Sequence, residues 1–280
     1  MDKASVILPI YNQYNSLIKV LHSFSRQTMP KDAYELIVVD DGSDDILRET
    51  DSEELRYKYD LNITVYHQEN GGRAAARNRG IELSDNELII FCDADRVPCP
   101  DFVKLHLQSH SDENTVIIGE QYDIFYKNID SLFDREINWS MIKRFSKKPD
   151  YYSRISRIYN DNVCIAKNFQ WMSFLVGNSS VSKNLLCKTG FFDEDFKKWG
   201  FEHFELGLRL QYNNAEFKIN KEAVNYHIPH LRDTYFYSDM INDSAFILKN
   251  KHPEINTDVM KTVIMNDVEI CEFNNCIFER

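Results

Sequence analysis

The sequence predicts an α/β fold, a mostly parallel sheet flanked by helices with a C-terminal helical extension, and three observations carry that expectation. Short apolar runs rich in β-branched and aromatic residues recur at residues 5–8, 36–39, 63–66 and 88–92, too short for typical helices. Helical stretches alternate with them, the pattern of βαβ crossovers. The runs end in polar residues along one sheet edge, where ligands of open α/β sheets bind.

In order, residues 5–8 form a strand stopped by Pro9, and Tyr11 and Asn12 follow in a polar loop. Asn15 or Ser16 can cap a helix whose Leu17, Val20, Leu21 and Phe24 have helical spacing. The strand at 36–39 runs into Asp40, Asp41, Gly42 and Ser43. After the strand at 63–66, the Asn70-Gly71-Gly72 loop opens an alanine- and arginine-rich helix over 73–83, and its N-terminus offers a phosphate cradle.

The stretch ELIIFCDADRVP, residues 87–98, organises the rest. A buried strand over 88–92 stops at Asp93 and Asp95; in an extended backbone the alternate carboxylates point the same way and converge on a cation. Hard oxygen ligands suit Mg²⁺ or Mn²⁺, which in turn holds a diphosphate. A helix through Phe102, Leu105 and Leu107 follows Pro100 and Asp101.

Residues 117–171 carry many aromatics among charges without readable periodicity, which fits a functional lid. Residues 174–181 read as a strand, 183–189 as a short helix closed by Gly190, and Phe201, Phe204 and Leu208 as the stripe of a buried helix. Glu202 and His203 fall in its first turn, where the helix dipole favours negative charge and lowers a histidine pKa. Glu205 and Arg209 are an ordinary i,i+4 pair. Residues 223–227 form a strand, and 239–280 a pair of amphipathic helices joined near Pro253.

Composition bounds the function. A formal net charge of -11 over 280 residues argues against non-specific nucleic-acid binding. The N-terminus MDKASVILPIY lacks a signal-peptide pattern and no run approaches a membrane span, so a cytoplasmic protein without a transmembrane segment is expected, with peripheral membrane contact left open. Cys92, Cys99, Cys164, Cys187, Cys271 and Cys276 include no CxxC pair, so reduced thiols are expected.

Six stretches, SVILPIYN (5–12), VVDDGSDD (38–45), NGGRAAARNRG (70–80), FCDAD (91–95), GNSSVSK (177–183) and FFDEDFKKWGFEHFELGLRL (191–210), together resemble the family 2 glycosyltransferases, nucleotide-sugar enzymes of the GT-A fold. The resemblance implies a GT-A domain over 1–232, with a nucleotide-binding half at 1–115 and an acceptor-binding half at 116–232, and a helical extension at 233–280. It implies that Pro9, Tyr11 and Asp41 hold the nucleobase, Asp41 by accepting a hydrogen bond from a uracil-type ring. Arg73 matches a position that reaches the nucleobase or the phosphates, whereas Arg77 and Asn78 look structural. Asp93 and Ala94 join the nucleotide-binding set, Asp93 on the ribose side. Asp95 would ligate Mn²⁺ or Mg²⁺ and the diphosphate, with His227 as a further metal ligand and His230 as a second candidate.

The implied activity is metal-dependent, inverting transfer of a sugar from a UDP-sugar or similar donor to an acceptor glycan, peptide or small molecule. Where the family usually has Trp-Gly-x-Glu-Asp, this chain has Trp199, Gly200, Phe201, Glu202 and His203. The family's general base is therefore replaced, and His203 and Glu202 are the candidates. Two other readings are a nucleotide-sugar-binding protein without turnover, and a sugar nucleotidyltransferase, whose usual N-terminal glycine-rich loop and lysine are absent from residues 9–15.

Overall fold

The computed structural model describes residues 1–44, 51–160, 163–164, 167–197, 200–230 and 234–265. Asp45, Trp199, Cys271 and Cys276 lie outside them, as does the end of the extension. Among the described residues eleven strands form one sheet: β1 (Ala4–Ile10), β2 (Tyr34–Asp40), β3 (Ile63–His67), β4 (Leu88–Cys92), β5 (Arg96–Pro98), β6 (Thr115–Ile124), β7 (Ser146–Lys147), β8 (Tyr159–Asn160), β9 (Val163–Cys164), β10 (Asn178–Ser182) and β11 (Glu216–His227). The helices are α1 (Tyr14–Phe24), α2 (Asp51–Tyr59), α3 (Arg73–Leu83), α4 (Phe102–Ser109), α5 (Trp139–Arg144), α6 (Asp150–Arg157), α7 (Lys183–Thr189), α8 (Glu202–Tyr212), α9 (Thr234–Lys251) and α10 (Thr257–Met265).

The main strand order is β3-β2-β1-β4-β10-β6-β11-β9-β8. The long ladders, β3 with β2, β2 with β1, β1 with β4 and β6 with β11, are parallel; β10 runs against both of its neighbours. Alternation along β1 feeds two cores. Val6, Leu8 and Ile10 join one with Leu17, Leu21 and Phe102, while Ile7 joins the other with Ile81, Leu208 and Leu248. Helices therefore cover both faces, and the second core includes residues of α9 and α10.

Four expectations need correction. β1 continues through Pro9: its pairing with β4 ends at Ile7↔Phe91, so beyond that point one edge is bare and a missing N–H need break no ladder bond. Neither Asn15 nor Ser16 caps α1; Gln13 stands at the cap position and makes no side-chain capping bond. The 117–171 stretch opens inside β6, a ten-residue strand that starts at Thr115 and lies at the sheet centre; Glu120 and Gln121, buried in it, interrupt its apolar pattern and hide it. The strand expected at 174–181 is instead Asn178–Ser182, mostly polar yet wholly buried between β4 and β6. α2 has no apolar stripe to announce it in the sequence; Leu55 is its buried core residue.

Candidate active site

The chain leaves β4 at Cys92 and turns at once, Arg96 N–H donating to the Asp93 carbonyl at 3.0 Å. Because the backbone turns rather than extends, the two carboxylates diverge, contrary to the expected convergence on one cation. Asp93 Oδ1 accepts from Arg77 Nη2 at 2.9 Å, and its Oδ2 lies 3.7 Å from Arg96 Nε. Asp95 faces the other way, accepting from Gln13 Nε2 at 3.1 Å. Ala94 between them is fully buried.

β5 brings Asp95 to the end of β11. Arg96 pairs in register with His227, and the Ile228 N–H donates to the Asp95 carbonyl at 2.8 Å. His227 Nε2 and His230 Nδ1 each stand 3.6 Å from Asp95 Oδ2. Asp95, His227 and His230 each offer one ligand atom, all within 4.8 Å of one another. Behind them, His227 Nδ1 is 3.1 Å from Asp123 Oδ1 in β6. That carboxylate holds a proton on Nδ1 and turns the ring so that Nε2 is the atom presented toward Asp95. Burial pushes the Asp95 carboxyl up, but His227, Arg96 and His230 outweigh it and hold it well below its ordinary range. Burial lowers His227, and Asp123 and Asp95 more than restore it.

On the other side of the turn stands Glu202, the first residue of α8 and 2% exposed. Its Oε1 accepts from Arg77 Nη1 at 3.1 Å and lies 3.7 Å from His203 Nδ1, an ion-pair distance rather than a hydrogen bond. Burial raises the Glu202 carboxyl, but His203, Arg77 and Arg73 prevail and bring it down to about 2. Glu202 Oε2 and His203 Nδ1 are both buried with no hydrogen-bond partner. Arg77, read from the sequence as structural, is thus the hub between Asp93 and Glu202. Asn78 holds the neighbouring loop, accepting from Phe192 N–H at 2.9 Å and donating to the Phe192 carbonyl at 2.9 Å.

The expected phosphate cradle is already occupied from within. Gly71 N–H donates to Asp41 Oδ1 and Gly72 N–H to Asp41 Oδ2, both at 2.9 Å, and Gln68 Nε2 adds 2.8 Å to Oδ1. Asp41 therefore shapes the Asn-Gly-Gly loop, with acceptor capacity left on Oδ2. Gly72 has φ +92°, and a Cβ there would meet the Lys197 carbonyl at 2.7 Å, so the loop abuts the segment leading to Glu202. Pro9 sits half-buried in β1, Tyr11 is half exposed beyond it, and Arg73 opens α3. Sequence reasoning missed Gln13, Asp123 and Arg96; none has a motif of its own, and register alone aligns Asp123 and Arg96 with His227.

Residues 5–172 match the profile of glycosyl transferase family 2, and the chain belongs to that family. A glycosyltransferase of Bacillus subtilis, the uncharacterized YfnE, is 27% identical over 275 residues, covering 88% of this chain and 69% of that protein. Validoxylamine A glucosyltransferase of Streptomyces hygroscopicus subsp. jinggangensis is 29% identical over 90% of this chain, which spans 61% of the glucosyltransferase. Among solved structures, S. aureus TarS 1-349 in complex with UDP superposes with a TM-score of 0.60 at 18% identity, covering 94% of this chain and 69% of that one. That likeness establishes the GT-A-like architecture. Among the described residues no helix is long and apolar enough to cross a membrane.

Proposed function

We propose that the chain transfers a sugar from a UDP-sugar to an acceptor hydroxyl with inversion, assisted by a divalent cation held by Asp95, His227 and His230. The observation that carries this reading is the three ligand atoms within 4.8 Å at the end of β4 and β11, with Asp123 orienting His227 from behind. The donor set fits a cation: one carboxylate and two imidazoles favour Mn²⁺ over Mg²⁺, which prefers oxygen. When bound, such a cation supplies charge neutralisation for the departing diphosphate.

The chain's own residues do the rest. Pro9, Tyr11 and Asp41 hold the nucleobase, Arg73 reaches toward the nucleotide, and Asp93 and Ala94 meet the ribose side. His203 takes the proton of the acceptor hydroxyl as that oxygen attacks the anomeric carbon and the C–O bond to the diphosphate breaks. TarS crystallises with UDP and with UDP-GlcNAc, which supports a uridine donor here. Residues 1–115 form the nucleotide-binding half and 116–232 the acceptor-binding half, which also lends His227 and His230 to the cation; the acceptor is a glycan, peptide or small molecule.

The test is thermal protection. UDP with Mn²⁺ should raise the melting temperature of the wild type, and Asp95→Ala should lose the Mn²⁺-dependent part while keeping its fold. If no nucleotide sugar protects in the presence of Mn²⁺, the reading fails.

A further inference from the structure

Arg77 is 1% exposed, and its two terminal nitrogens go to carboxylates from different parts of the chain, Asp93 at 2.9 Å and Glu202 at 3.1 Å. A planar guanidinium is a rigid fork, so it fixes the separation and orientation of the two carboxylates at once. The fork is itself held: the Phe192 ring lies 5.6 Å from its centre, and Asn78 clamps the Phe192 backbone on both sides.

A buried arginine with two carboxylates is commonly only a structural ion pair. Here the far end of the pair is left open. Glu202 Oε2 and His203 Nδ1 are each buried without a hydrogen-bond partner, whereas buried polar groups of a purely structural cluster are nearly always satisfied. His203 Nδ1 lies 3.7 Å from Glu202 Oε1, so an approach of about 0.5 Å would bring the two within hydrogen-bond distance, Nδ1–H donating. With its proton then on Nδ1, the imidazole presents Nε2 as the acceptor of a hydroxyl proton.

We propose that Arg77 is a positioning residue for sugar transfer: it locks Glu202 to the donor-side Asp93, and Glu202 in turn sets the His203 ring. The donor pocket and the general base are thereby one rigid unit. This inference rests on the glycosyltransferase reading above.

The experiment is a double-mutant cycle on UDP release at saturating nucleotide sugar, using Asp93→Asn, Glu202→Gln and the double variant, all of which keep Arg77. Asp93 and Glu202 share no hydrogen bond, so without the arginine link their effects on kcat should multiply. The expected result is that the double variant falls short of the multiplied single effects by about tenfold or more. Arg77→Lys, which keeps the charge and loses the fork, should lower kcat by about tenfold or more while the donor KM stays within about twofold. Single effects that multiply, or an Arg77→Lys variant that folds and raises donor KM at unchanged kcat, overturn the inference alone. A wild-type chain that releases UDP from no nucleotide sugar overturns the functional reading and this inference with it.

Discussion

His227 and Asp123 face each other in register across β11 and β6, and the histidine Nδ1 lies 3.1 Å from the aspartate Oδ1. Such a partner fixes the tautomer and raises the basicity of the nitrogen that ligates. Asp123→Ala should therefore weaken Mn²⁺ binding by about tenfold to a hundredfold without removing a ligand. Titration of Mn²⁺ by calorimetry in the presence of UDP checks it; unchanged affinity would separate His227 from the cation.

Gly72 offers a structural prediction at the loop shaped by Asp41. An alanine there must adopt φ +92° and place its Cβ 2.7 Å from the Lys197 carbonyl. Gly72→Ala should cost about 1–3 kcal/mol in stability, read by denaturant unfolding. Because the displaced segment leads to Glu202, turnover should fall as well. A variant as stable and active as the wild type would show that the loop does not brace that segment.

Acid sensitivity should come from the far face of the sheet. His106, fully buried in α4, bonds Ser180 Oγ at 2.8 Å and Asn178 Oδ1 at 2.9 Å, and burial lowers it to about 4. His110 one turn on, bonded to the same Ser180, is lowered by burial to about 3. The unfolded chain takes protons near pH 6.5 that the folded chain refuses, so the contribution is complete above pH 6.5 and is lost as pH falls toward 4. For His106 alone the loss is about 3 kcal/mol. His106→Gln should be less stable at neutral pH and flatter between pH 6.5 and 4, as measured by urea midpoints. An unchanged slope would show that His106 is protonated in the fold.

β4, α3 and α7 are legible in the sequence because they obey local rules: an apolar run of strand length, and helices opened by glycine or serine, the last closed by Gly190. The sequence concealed β6, whose polar Glu120 and Gln121 are buried, and misplaced the start of β10, whose polar Ser179 and Ser180 are buried by tertiary pairing. The site behaves alike. Asp93 and Asp95 stand out as a motif, but the turn that sends one toward Arg77 and the other toward His227 follows from β5 pairing with β11. Arg77 looked like helix packing because its two carboxylates lie 16 and 125 residues away.

Two neighbours, Glu202 and His203, stand as candidates to take the acceptor proton. Glu202 is 2% exposed and its Oε1 already accepts from Arg77, so it is a weak proton acceptor at neutral pH. His203 has a side chain 15% exposed on the same first turn, about 100° around the helix, and an imidazole is a competent general base near pH 7. His203→Ala should lower turnover by about a hundredfold or more with UDP affinity unchanged. His203→Asp, restoring the residue type the family usually carries, should retain activity. Glu202→Gln should also be impaired, because the amide oxygen accepts from Arg77 without the carboxylate's charge, but its kcat should not fall below that of His203→Ala. If His203→Ala turns over normally while Glu202→Gln is dead, the carboxylate is the general base and the histidine is a bystander.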